Sequence, residues 1–165
     1  MTAAEDIFGR NEDMIFVSHY DSPLGMIYMA ADDDVLKGVW FEGQKYFASG
    51  LDKKETEDKE TPVLKQTKEW LDLYFVGKEP EFLPPLAPEG SEFQKKVWKI
   101  LLMIPYGKTM TYGEIGRKVA KMSGKKTMSA QAVGGAVGHN PISILIPCHR
   151  VVGTNGSLTG YAGGI

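Results

Sequence analysis

The 165 residues fit one domain or two small ones, and a chain that is 42% hydrophobic and 24% charged should fold around an apolar core in water. No apolar run approaches the roughly 18 residues of a membrane span, residues 1–10 lack the basic start and apolar centre of a secretory signal, and a single cysteine excludes an intramolecular disulfide and a cysteine-cluster zinc. The formal charge of −2 hides an asymmetry: residues 1–90 carry 9 Lys and Arg against 19 Asp and Glu, a net of −10, whereas residues 91–165 carry 10 against 2, a net of +8. That split predicts two domains, with the basic one facing a polyanion, nucleic acid by preference. A cytoplasmic setting, which keeps a lone thiol reduced, is the expected location.

In chain order, residues 14–20 and 26–31 are strand-like runs joined by Asp21-Ser22-Pro23-Leu24-Gly25, a turn by composition. A third run, 35–41, follows the acidic turn Asp32-Asp33-Asp34, and the three predict an antiparallel meander. Residues 52–60 are a charge run expected to be solvated and to play no special part. Thr61 with Pro62 predicts a helix start; Val63, Leu64, Trp70, Leu71, Tyr74 and Phe75 give its apolar face, and Gly77 ends it.

Residues 79–90 hold Pro80, Pro84, Pro85 and Pro88 and end in Gly90, a linker by composition that falls where the charge changes sign. The expected division is therefore residues 1–88 and 89–165. Beyond it, Ser91 and Gln94 have capping-box spacing for a helix whose stripe is Phe93, Val97, Ile100 and Leu101, stopped by Pro105-Tyr106-Gly107. Thr111 and Glu114 repeat that spacing and open a helix from Tyr112 to about Lys121. After the basic turn Ser123-Gly124-Lys125-Lys126 comes a second short helix, 129–140, rich in Ala and Gly; two short helices across a turn in a basic region suggest a helix-turn-helix. Glycines weaken a helix by about 1 kcal/mol each. Ala130, Ala132, Gly134, Gly135, Ala136 and Gly138 therefore serve close approach of some kind, whether to the protein's own core or to a nucleic-acid backbone.

The chemistry-bearing segment is 140–152. An apolar, strand-like run, 142–146, ends at Pro147, which places Cys148 at a strand end beside His149 and Arg150. A free thiol has a pKa near 8.5, so a neighbouring imidazole that takes its proton, directly or through water, would activate it. The pattern points to a reactive thiol without fixing what it attacks; a small buried hydrophobe is the bland alternative.

Residues 140–152 closely resemble the active-site signature of the O6-alkylguanine-DNA alkyltransferases, with the Pro147-Cys148-His149-Arg150-Val151 core as the specific part. The resemblance extends over 93–98, Ile104-Pro105-Tyr106-Gly107, 111–115, 129–137 and 160–164, and so over nearly all of 91–164. It is weaker in the N-terminal half, where Ser22-Pro23-Leu24-Gly25 and Tyr74-Phe75 carry it. It implies an α/β fold: a ribonuclease-H-like N-terminal domain with an antiparallel sheet, and a winged-helix-like C-terminal domain with the helix-turn-helix. It implies irreversible, single-turnover transfer of an alkyl group from the O6 oxygen of guanine in double-stranded DNA to Cys148, with no cofactor or metal, by a monomer with no membrane contact. In that scheme His149 activates Cys148 through a bridging water, Asn140 braces the turn that holds the thiol, and Tyr112 offers its hydroxyl to the flipped guanine and crowds the DNA backbone. Val137, Val151, Tyr161, Ala162 and Gly163 shape the pocket. Tyr112, Ala130, Gln131, Gly134, Gly135 and Thr154 meet the DNA, with the small-residue helix in the minor groove. Asn140 as a plain turn initiator before Pro141 and Tyr112 as a core aromatic are the structural alternatives.

Two departures from the family pattern stand out. Gln131 occupies the recognition-helix position where the family often has arginine, so the gap left by the flipped base would be filled without charge. The sequence stops at Ile165, where the family continues into a helix whose glutamate hydrogen-bonds the active-site histidine; the resemblance then implies either a weakened relay, with impaired activity and stability, or another group in the glutamate's place. Two rival readings give different outcomes. A non-catalytic binder of alkylated DNA would bind without taking up mass, and a cysteine hydrolase using Cys148 and His149 would turn over a small ester or peptide without DNA.

Overall fold

The structure is a computed structural model that describes residues 14–44, 47–48 and 55–153. Strands β1 (Met14–Ser22) and β2 (Gly25–Ala31) form a hairpin in register Ser22↔Gly25 through Phe16↔Ala31, and β3 (Leu36–Phe41) pairs antiparallel with β2. Both turns are made by side chains substituting for backbone partners. Ser22 Oγ accepts from the Leu24 amide at 3.1 Å, and Asp32 Oδ1 accepts from the amides of Asp34 and Val35, each at 2.8 Å. The meander is as expected from sequence, but the sheet is larger. Residues of the charge run form β4 (Glu55–Asp58), which pairs parallel with β1, giving the order β3-β2-β1-β4 and a mixed sheet. An edge strand of charged side chains can be solvated on its faces and still satisfy its backbone on one side, which hydrophobic periodicity does not register.

Helix α1 (Pro62–Phe75) is capped by the Thr61 side chain, which accepts from the Leu64 amide, and its chain is turned away at Gly77, where φ is +83°. Its face of Val63, Leu64, Trp70 and Leu71 lies on the sheet, and the Tyr20 hydroxyl donates to Asp72 Oδ1 at 2.6 Å across that contact.

The proline-rich segment is not a free tether. The Leu36 amide donates to Pro85 O at 2.8 Å, and the Ala87 amide donates to Leu36 O at 2.9 Å, so the segment is strapped along the outer edge of β3. Farther along the same edge, the Val39 amide donates to Pro141 O and the Ser143 amide donates to Val39 O, at 2.8 and 2.9 Å. The exposed edge of the sheet is thus occupied by two segments of the chain.

The second half comprises α2 (Glu92–Leu101), β5 (Met110–Thr111), α3 (Tyr112–Met122), α4 (Ala130–Gly138), a single 3-10 turn (Cys148–Arg150) and β6 (Val151–Val152). Both expected capping boxes are present, Ser91 with Gln94 and Thr111 with Glu114. Helix α2 buries Trp98 along with Val97, Ile100 and Leu101, whereas Phe93 is only half-buried. The Trp98 indole N–H donates to Ala136 O at 2.9 Å and ties α2 to α4. Most of the buried side chains form one continuous cluster, from Ile27, Leu36 and Leu64 through Val97, Ile115 and Val133 to Cys148, and Ile15, Val17, Ala30 and Trp40 form a second, smaller one. Among the described residues no helix is long and apolar enough to cross a membrane.

Candidate active site

The run 142–146 is not the strand that its composition suggests. Proline at either end, the Asn140 side chain and a left-handed Ile144 (φ +71°) wind it into turns, although all five residues are buried. A β-branched residue at positive φ costs on the order of 1–3 kcal/mol and persists only where surrounding bonds over-determine it. Those bonds are present. Asn140 Nδ2 donates to Ile146 O at 2.7 Å, the Ile142 amide donates to Asn140 Oδ1 at 2.9 Å, and the Ile146 amide donates to Ile142 O at 3.0 Å. From outside, the Ser143 hydroxyl donates to Gln44 Oε1 at 3.1 Å, and that oxygen also accepts from the Phe41 amide. The reactive loop is therefore clamped onto β3 by backbone and side chain together.

Cys148 follows Pro147 as the first residue of the 3-10 turn, not at a strand end, and is 3% exposed. Burial pushes its thiol pKa up to about 11; a hydrogen bond from the Asn140 side chain and one from backbone act the other way but do not cancel the desolvation. Asn140, 3% exposed itself, thus both closes the turn and touches the sulfur. His149 is the second residue of the 3-10 turn. Its Nε2 lies 3.2 Å from the Tyr74 hydroxyl of α1, and its pKa falls to about 4 through burial and then the Arg150 charge. Arg150 is held in turn: Nη1 donates to Ile104 O at 2.9 Å, and the guanidinium sits 5.5 Å from the Tyr106 ring centre.

Parallel pairing of β5 with β6 (Met110↔Val151, Thr111↔Val152) sets the start of α3 beside the segment that leaves Cys148. Tyr112, the first residue of α3, is half-buried, and a methyl group built on Gly134 would meet its ring at 3.9 Å. Ala130, Gln131 and Gly135 are exposed on α4, and a methyl group built on Gly135 would have nothing within 4 Å. Val133, Ala136 and Val137 form the opposite, buried face. The small residues of α4 therefore divide between a face packed on the protein's own core and an exposed face. Val137 and Val151, 1% and 2% exposed, lie in the same buried cluster as Cys148. Thr154, Tyr161, Ala162 and Gly163 lie outside the described residues.

Sequence reasoning passed over Tyr74, Gln44 and Ser143 as site residues. Tyr74 reads as one more apolar position on α1 and as part of the weaker N-terminal resemblance, with no role attached, and its approach to His149 spans 75 positions. A cleft of about 350 Å³ opens beside this contact, lined in part by Trp70, Tyr74, Phe82, Tyr106, Pro147 and Arg150. Among the described residues, no three His, Cys, Asp or Glu side chains gather as they would around a metal ion.

Two family models match the chain: "6-O-methylguanine DNA methyltransferase, ribonuclease-like domain" over residues 15–88 and "6-O-methylguanine DNA methyltransferase, DNA binding domain" over residues 92–165. The methylated-DNA–protein-cysteine methyltransferase of Methanosarcina acetivorans is 41% identical over 152 residues, 92% of each chain. That of Mycolicibacterium paratuberculosis is 42% identical over 92% of this chain and 87% of its own. Among solved structures, Mycobacterium tuberculosis OGT in complex with DNA aligns with a TM-score of 0.75 at 37% identity, covering 92% of this chain and 85% of that one.

Proposed function

The chain belongs to the methylated-DNA–protein-cysteine methyltransferases, and from that premise we propose that it repairs double-stranded DNA by taking the alkyl group of an O6-alkylguanine irreversibly onto Cys148, once per molecule. The observation that carries this reading is the placement of the sole cysteine. Its thiol is sealed in a braced turn, bonded to Asn140, with an imidazole next in sequence and a small-residue helix face exposed nearby.

In the reaction the Cys148 S–H bond breaks, sulfur bonds to the alkyl carbon, and the carbon–O6 bond breaks with its electron pair on the base. A proton returns to the base, leaving guanine and a thioether. His149 receives the thiol proton through a bridging water, and Asn140 holds the sulfur on line. The target carbon lies inside the duplex, so the nucleotide must be flipped out, at a cost already lowered by the weakened pairing of an alkylated guanine. The Tyr112 hydroxyl supplies a hydrogen bond where charge develops on the departing base, and Val137 and Val151 form the buried side of the alkyl pocket, with Tyr161, Ala162 and Gly163 assigned to its rim.

Residues 89–165 form the catalytic and DNA-binding domain, with α3 and α4 as its helix-turn-helix. The exposed side of α4, Ala130, Gln131 and Gly135, enters the minor groove with Gly134, Tyr112 and Thr154 beside it. Residues 1–88 brace the reactive turn. The assignment of the site to this face is supported by the open space over Gly135 and by the charge of residues 91–165. A lone thiol fits a reducing cytoplasm, and one thiol acting once calls for no second copy of the chain, so the proposed working unit is a monomer.

The test is intact-protein mass spectrometry after incubation with a duplex containing O6-methylguanine. One added methyl, mapped to Cys148 and absent from Cys148→Ala, is the expected result. Tight binding to the lesion with no added mass would make the chain a damage binder instead.

A further inference from the structure

We propose that Tyr74, contributed by α1 of the N-terminal half, is a positioning residue for alkyl transfer, its hydroxyl holding the His149 imidazole in place beside Cys148. The inference rests on the alkyl-transfer reading and adds to it a residue outside the catalytic half.

The Tyr74 hydroxyl lies 3.2 Å from His149 Nε2, and the rings meet edge to face with centroids 6.1 Å apart. Tyr74 is fixed from behind. It stacks on the buried Trp70, at 5.4 Å with planes 11° apart, and meets Phe75 edge-on at 5.3 Å. The phenol therefore reaches His149 from a rigid helix face docked on the sheet, independently of the turn that carries Cys148. The other titratable groups near this contact are Cys148 and Arg150 on the reactive turn and Tyr106 after α2, each of which acts electrostatically on Tyr74.

A hydroxyl suits this position because it both donates and accepts. While His149 is neutral, the phenol can donate to a bare Nε2 or accept from a protonated one. When the ring takes up the Cys148 proton, both nitrogens carry hydrogen and the phenol oxygen accepts. The ring keeps its partner through the proton transfer, and the imidazolium gains a hydrogen bond of the stronger, charge-assisted kind. Phenylalanine keeps the packing on Trp70 and Phe75 and offers no such partner.

The experiment uses the full chain and Tyr74→Phe. The rate of methyl transfer from an O6-methylguanine duplex is followed between pH 5 and 9, and the His149 ring-nitrogen resonances are recorded by NMR without DNA. The expected result is a transfer rate lowered by about tenfold, the scale of one lost hydrogen bond to a charged group, with an altered pH profile and a displaced Nε2 resonance. Either change without the other overturns the proposal: a rate loss with unmoved His149 resonances is a packing effect, and moved resonances at full rate leave the contact without a part in transfer. Failure of the wild-type chain itself to take up methyl would instead sink the alkyl-transfer reading. Should Tyr74→Phe not fold, 3-fluorotyrosine placed at position 74 alone keeps the ring and acidifies that one phenol. A shifted Nε2 resonance and pH profile then support the role, and unchanged ones overturn it.

Discussion

Cys148 rests as the thiol, the form that cannot attack, and His149 as the neutral imidazole, the form that can take a proton but holds it weakly. Burial holds the thiol protonated with a pKa of about 11, and burial with the Arg150 charge keeps the imidazole neutral down to about 4. Both shifts oppose a standing thiolate–imidazolium pair in the DNA-free protein, so deprotonation of Cys148 accompanies attack or follows the arrival of a substrate that changes the surroundings of the site. The same burial ties Cys148 to stability. Its folded pKa is raised above the unfolded value near 9, so its contribution is complete below pH 9 and is lost as pH climbs through about 11. Two units correspond to about 3 kcal/mol. Urea unfolding from pH 7 to 11 should therefore show an alkaline loss that Cys148→Ala lacks, and parallel curves for the two proteins would refute the buried, protonated thiol. The motif Cys148-His149-Arg150 was legible in the sequence because its chemistry is local. Tyr74 was not, because nothing in the spacing of α1 distinguishes an aromatic that meets a histidine from one that meets the core.

Among the elements, those with chemical punctuation were legible and those defined by a partner were not. Thr61, Ser91 and Thr111 mark helix starts by bonds confined to one turn, and all three cap the helices expected of them. Strand β4 exists because β1 offers it an edge, and the turns of 142–146 exist because Asn140, Gln44 and β3 claim their polar groups. Apolar composition reported that this loop is buried but not how its backbone is wound. Helix α4 separates packing from function most sharply. Gly135 faces open space in an otherwise regular helix, so Gly135→Leu should leave thermal stability unchanged or raise it, by up to about 1 kcal/mol from helix propensity. If this face meets DNA, the same substitution should slow methyl transfer from a duplex at least tenfold while sparing transfer from free O6-benzylguanine. Equal rates on the duplex before and after substitution would remove α4 from the DNA interface.

At the scale of the molecule, the acidic half supplies a sheet whose edge grips the reactive turn and a helix that reaches His149, while the basic half carries the thiol and the exposed helix. The charge division was readable from composition; the shared core and the clamp between Val39 and residues 141–143 depend on tertiary contacts that no local pattern encodes. The division has a measurable consequence. A protein that neutralises phosphates releases counterions, and the logarithm of its affinity falls with the logarithm of salt concentration by about 0.9 per phosphate contacted. Lys125 and Lys126 are exposed on the turn between α3 and α4, immediately ahead of the face assigned to the minor groove. If both meet phosphates, Lys125→Ala with Lys126→Ala should weaken duplex binding and make the salt slope shallower by about 1.8. Lys65, exposed on α1 in the acidic half, serves as the control: Lys65→Ala should leave the slope alone. A slope that responds to Lys65 and not to the lysine pair would place the nucleic acid on the other half of the molecule, and the charge asymmetry would then serve only the contact between the halves.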